Sequence, residues 1–138
     1  MQQKEQCEML LAELLPFGEE QIKKYGEFYP YGAVLNTDLQ IVKTATYDGD
    51  DNPPSDRVIS FLQDVHKKLA TEEKIVASAI VTNATVRTPM GKRTDAIVMY
   101  LEHKDGYCAV VVAPYKKGLF KKVSFAPLYA MQGDKTIF

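Results

Sequence analysis

Apolar residues recur at i, i+3, i+4 and i+7 near the start of the chain, where Cys7, Leu10, Leu11 and Leu14 define a helix expected over residues 3–15. Pro16 interrupts that pattern, because a proline inside a helix loses a backbone donor and crowds the preceding turn. A second short helix is expected over residues 18–25, with Glu19 and Glu20 in its first turn and Gly26 as its left-handed stop. Farther on, Val58, Phe61, Leu62, Val65 and Leu69 fall on one stripe. They predict a helix ending near Ala70, capped at its start by Asn52 (with Pro53 following) or by Ser55.

Between and after the helices the pattern changes to strands. Pro30 forces Tyr29 out of the helical region, and Gly32 marks a bulge or a close backbone approach. Residues 33–35 read as a short buried strand, Asn36-Thr37-Asp38 as a turn, and residues 40–46 as the returning strand. A meander is expected over residues 74–88, 94–103 and 107–115. Its connections are a type I turn at Thr88-Pro89-Met90-Gly91 and a hairpin at Lys104-Asp105-Gly106. Lys116-Lys117-Gly118 should turn the chain, residues 123–125 add a sixth short strand, and Ile137 and Phe138 end a tail able to dock.

This order predicts a single α+β domain over residues 1–138: helix, two strands, helix, then a three-stranded meander. The sheet is expected to be mainly antiparallel, five- to six-stranded, with the helices on one face. Yet the fourth strand carries Ile97, Met99 and Leu101 on one side and Ala96, Val98 and Tyr100 on the other, and the fifth is similarly two-faced. A one-sided antiparallel sheet alternates apolar with polar residues. The second face therefore needs cover from the C-terminal segment, a curled sheet or a second subunit. A symmetric homodimer is the favoured source, two-fold homodimers being the commonest oligomers.

Composition narrows the function classes. The 138 residues are 46% hydrophobic and 25% charged, as in ordinary globular domains, and the formal charge is −1. Such a balance offers no long-range field for nucleic acid or an anionic membrane, so neither is expected as a partner. The start of the chain lacks a signal-peptide core and no 18 apolar residues run together, which points to the cytoplasm. Cys7 and Cys108 fit free thiols better than a disulfide framework.

Candidate chemistry is sparse. Asp48-Gly49-Asp50-Asp51-Asn52 alternates oxygens like a calcium loop, but Pro53 and Ile59 stand where Gly and Glu are needed. It reads as a solvated, helix-capping loop, and no metal or other cofactor is expected. His66 and His103 read as surface or half-buried structural residues. Glu102 and His103 could serve as acid and base but have no nucleophile beside them, so no catalytic residue is assigned. The binding candidates are Tyr29 and Tyr31 at the aromatic corner, Tyr47, Tyr115, Lys116 and Lys117. The lysines, with Lys121 and Lys122, bracket Leu119 and Phe120; such a patch can hold phosphate groups or an acidic partner, or simply guard a sheet edge. The aromatic residues equally suit a core.

Two resemblances follow. The element order, with a Gly32-Ala33-Val34-Leu35 strand running on to Asp38, is similar to roadblock/profilin-like domains, which implies a dimerising scaffold or a small sensory domain. Phe28-Tyr29-Pro30-Tyr31-Gly32-Ala33-Val34-Leu35, followed by Tyr47-Asp48-Gly49-Asp50-Asp51, resembles a group of uncharacterised small bacterial proteins with an F-Y-P-F-G-A motif ahead of a D-G turn. Tyr31 replaces the usual Phe, and Leu39 stands where Gly would complete the first turn. The likeness takes in Thr94-Asp95-Ala96-Ile97 and Leu101-Glu102-His103 and implies no activity. The expected function is a dimeric protein-interaction module, of inhibitor or immunity type. The alternative is a small-molecule-binding sensory domain with a pocket near Tyr29, Tyr31 and Tyr47. An enzyme ranks behind both.

Overall fold

In the computed structural model, which describes residues 2–44 and 54–138, Pro16 does not end the first helix. Helix α1 runs unbroken through Gln3–Tyr25 and stops at Gly26, whose φ of 78° is left-handed as expected. Tyr31 supports the turn after the proline. Its hydroxyl donates to the Leu14 carbonyl at 2.6 Å, and the hydroxyl oxygen lies close against the Gly18 backbone. A Cβ on Gly18 would lie 2.7 Å from that oxygen, so glycine is what admits it.

Among the described residues seven strands follow: β1 (Tyr31–Asn36), β2 (Ile41–Thr44), β3 (Ile75–Arg87), β4 (Arg93–His103), β5 (Cys108–Lys117), β6 (Val123–Phe125) and β7 (Tyr129–Gln132). Helix α2 (Ser55–Thr71) lies between β2 and β3, and a 3-10 turn covers Leu119–Lys121. Ser55 is the first helical residue of α2 rather than its cap; the capping position belongs to Pro54, and Asn52 and Pro53 lie outside the described residues. The sheet is antiparallel in the order β2-β1-β3-β4-β5-β6, with β7 also on β5.

The α+β class and antiparallel sheet match the sequence reading, with seven strands in place of five to six. Lys116 and Lys117 belong to β5, so the turn begins at Gly118. The unforeseen β7 pairs with Ala109 to Val112 and shares the outer edge of β5 with β6, which pairs with Tyr115 to Lys117. Pro127, which has no N–H for a ladder, falls between them.

Successive strand residues point to opposite faces, so the register sorts the core. Ala77, Ala79, Val81, Met99, Leu101, Val111 and Ala113 pack with Cys7, Leu10, Leu14 and Ile22 of α1. The alternate residues Ser78 and Ile80 meet α2: His66 bonds Ser78, and Val58 and Leu62 pack on Ile80. The two helices therefore lie on opposite faces, which corrects the expectation that they share one. The cause is the two-sided sheet itself, because each apolar face requires its own cover. Ile137 joins the α2 cluster with Phe138 against it, so part of the cover assigned to a second subunit comes from the C-terminal segment. Ala96, Val98 and Val112 form a smaller cluster on this face, flanked by Val110 and Tyr129.

Buried polar groups pin these layers. Glu102 accepts the backbone N–H groups of Thr136, Ile137 and Phe138 at 2.8, 3.0 and 2.6 Å. His66 is fully buried, not the surface or half-buried residue expected. Its Nδ1 lies 2.6 Å from Ser78 Oγ and its Nε2 2.9 Å from Thr44 Oγ1. Burial lowers its pKa to about 4, so the ring is neutral. No described helix is long and apolar enough to cross a membrane.

Candidate functional site

The antiparallel register brings two connections to the same end of the sheet. Arg87 pairs with Arg93 where β3 turns into β4, and Asp95 pairs with Tyr115 just before β5 leaves the sheet. The β3–β4 turn closes with Gly91 N–H donating to the Thr88 carbonyl at 2.8 Å, and Gly91 has a φ of 84°. Met90 at its tip is 95% exposed. The β5–β6 loop closes with Gly118 N–H on the Lys122 carbonyl at 2.6 Å and Lys122 N–H on the Leu119 carbonyl at 3.2 Å. Leu119 and Phe120 project from it, 82% and 94% exposed. Phe120 holds a φ of 58°, a left-handed conformation that costs a non-glycine residue about 1–2 kcal/mol.

Cations surround these tips. Arg87, Lys92 and Arg93 flank the first turn, and Lys116, Lys117 and Lys122 flank the second. Lys23 and Lys24 occupy the last turn of α1, with Lys23 Nζ 5.9 Å from the centre of the Phe125 ring. Lys117 reaches the C-terminal end of α1: a Cβ on Gly26 would lie 3.2 Å from its Nζ, where the helix dipole favours a cation. Arg87 and Arg93 oppose each other directly, a like-charge pairing that weakens a ladder by about 0.2–1 kcal/mol. Among the described residues neither these two arginines nor Lys116, Lys117 and Lys122 have an ion pair. Asp95 lies in the same groove as Arg93, Lys116 and Lys117. A formal charge of −1 for the whole chain thus conceals a strongly basic end.

The six candidates from the sequence are distributed unevenly. Lys116 and Lys117 stand exposed at this end. Tyr115 is 3% exposed and supports them from below; its hydroxyl accepts from Asn83 Nδ2 at 2.7 Å and its ring packs 6.0 Å from Phe125. Tyr29 is half exposed in a shallow groove that includes Tyr25, Phe28, Ser55 and the same Asn83. Tyr31 packs edge-on to Phe17 and Phe28 at 4.9 and 5.4 Å on the α1 side, and burial pushes its phenol pKa up. Tyr47 lies outside the described residues, as do Asp48 to Asp51. Met90, Arg87 and Arg93 escaped the sequence reading; an apolar residue at a turn tip between cationic flanks was the available signal.

Comparison with known proteins gave no match, whether to a family model, to a curated protein or to a solved structure.

The acid–base pair suggested by the sequence is taken apart by the pleat. Glu102 faces α2 and holds the C-terminal segment, whereas His103 faces α1, with Nε2 2.6 Å from Gln6 Oε1. Asp105 N–H donates to His103 Nδ1 at 3.0 Å, which leaves the Nε2 proton to bond Gln6. Burial lowers the His103 pKa, so the 3.8 Å approach of Asp105 Oδ2 is no ion pair at neutral pH. Among the described residues no three His, Cys, Asp or Glu side chains are grouped to hold a metal ion. Cys7 and Cys108 are free thiols, Cys7 buried and Cys108 half-buried.

Proposed function

We propose that this domain is a protein-interaction module, of inhibitor or immunity type, whose basic end receives an acidic surface of another protein. The observation that carries this reading is the projection of Met90, Leu119 and Phe120 beside arginines and lysines that form no ion pair among the described residues. Lysines alone suffice to guard a sheet edge; exposed apolar tips and an Arg–Arg pair do not serve that purpose. Apolar and aromatic anchors within a charged rim are what an interface uses, the anchors for affinity and the rim for steering. The homodimer expected from the sequence is not built on this end, because a two-fold axis through it would set like charges against one another.

The test is purification from the native cell at low salt with the wild type, Lys116→Glu/Lys117→Glu and Leu119→Ser/Phe120→Ser, followed by calorimetry with the purified partner. The reading expects an acidic partner bound at least about tenfold more tightly by the wild type than by either variant, with affinity falling as salt rises. A partner that binds all three equally would sink the proposal. So would binding of anionic vesicles or an oligonucleotide to this end instead.

A further inference from the structure

On the α2 face, remote from the basic turns, lies a cleft of about 480 Å³, within the size range of small-ligand sites. Its floor is a cross-strand row: Ile80 pairs with Tyr100, Tyr100 with Val110, and Val110 with Met131. Tyr100 and Met131 in that row are 49% and 50% exposed, large apolar surfaces left uncovered among the described residues. Helix α2 contributes Ile59 and Gln63 to one wall, and the segment pinned by Glu102 forms the other.

The charged side chains in the lining of this cleft have one sign, although Lys135, just outside that lining, lies near enough to act on Cys108. Glu102 and Asp134 line the cleft, and among the described residues its lining includes no Lys, Arg or His. Cys108 also lines it, and burial, with Glu102 nearby, raises the thiol pKa and keeps the sulfur neutral. Glu102 is taken up by the backbone N–H groups of the C-terminal segment, so Asp134 is the acid left to a ligand: it would oppose a carboxylate head group and attract an ammonium group, with the negative charge of Glu102 behind it. We propose that this cleft is a binding site for an apolar primary amine, its hydrocarbon part on the row from Ile80 to Met131 and its ammonium group towards Asp134. The site is independent of the basic end, which would repel such a cation.

Dodecylamine, dodecanol and dodecanoate share one chain and differ in head group, so the full protein titrated with each below its micellar concentration, by calorimetry and amide NMR, tests the proposal. Dodecylamine is expected to bind at least tenfold more tightly than dodecanol, with dodecanoate weakest, and to shift the resonances of Tyr100, Val110 and Met131. Val110→Trp should weaken the amine at least tenfold, and Asp134→Asn should reduce the amine-over-alcohol preference while leaving dodecanol unchanged. Equal binding of amine and dodecanoate, shifts confined to other residues, or no binding of the amine at millimolar concentration would each overturn it. If Val110→Trp fails to fold, the wild-type resonance shifts and the Asp134→Asn preference decide the matter.

Discussion

Glu102 holds Phe138 directly, its carboxylate accepting the Phe138 N–H at 2.6 Å while also receiving Ile137 and Thr136. One side chain of β4 thereby fixes the segment that walls the cleft. Glu102→Gln retains the volume but replaces one acceptor oxygen with a donor, leaving a buried N–H unmatched. A loss of about 1–3 kcal/mol is expected in urea unfolding. An unchanged midpoint would show that apolar docking of Ile137 suffices without the clamp.

Tyr31→Phe keeps the ring contacts with Phe17 and Phe28 but removes the hydroxyl that bonds Leu14 in α1. It should cost about 1 kcal/mol and lower amide protection around Gly18. Hydrogen exchange along α1 checks this; unaltered protection there would mean the helix accommodates Pro16 unaided.

Gly32→Ala would put a Cβ 2.7 Å from the Ala79 carbonyl oxygen and 3.2 Å from His66 Cε1. The first neighbour is backbone in the next strand and cannot swing aside. A loss of about 1–3 kcal/mol is expected from the overpacking, read as a lowered thermal midpoint.

His66 makes stability pH-dependent in a defined direction. Its folded pKa of about 4 lies below the ordinary value of 6.5, so the unfolded chain binds its proton first as pH falls. The His66 contribution is whole above pH 6.5 and is lost progressively towards pH 4, on the order of 3 kcal/mol in total. Denaturation of the wild type and His66→Gln across this window should give a flatter profile for the variant. Parallel profiles would refute the assignment.

Arg93→Glu sets opposite charges across from Arg87. Despite lying at the proposed interface, this change should raise stability by about 0.2–1 kcal/mol at low salt, and the gain should shrink in about 1 M salt. A loss of stability would indicate that the arginine pair has a structural purpose.

Local chemistry was legible where a few adjacent residues decide the outcome. Gly26 stops α1, Gly91 and Gly106 take the positive φ of their turns, and the stripe through Val58 and Leu62 forms α2. Local chemistry misled at Pro16, where the residue that supports the helix is Tyr31, 17 positions from its partner Leu14. The four-residue β7 was hidden because so short a stretch carries no periodicity, and its place depends on the free edge of β5.

The sequence by itself determined the α+β class, the element order and the two-sided apolar character of the central strands, since these follow from spacing along the chain. Tertiary structure decided which face each helix covers, because adjacent residues of β3 point opposite ways and both sets are apolar. It also decided where charge accumulates: a net of −1 sums over positions, and only the register of β3, β4 and β5 brings Arg87, Arg93 and Lys117 to one end. The cleft belongs to the same class of facts. Ile80, Tyr100, Val110 and Met131 are neighbours through hydrogen-bonded pairing across four strands, a relation that no local pattern in the sequence encodes.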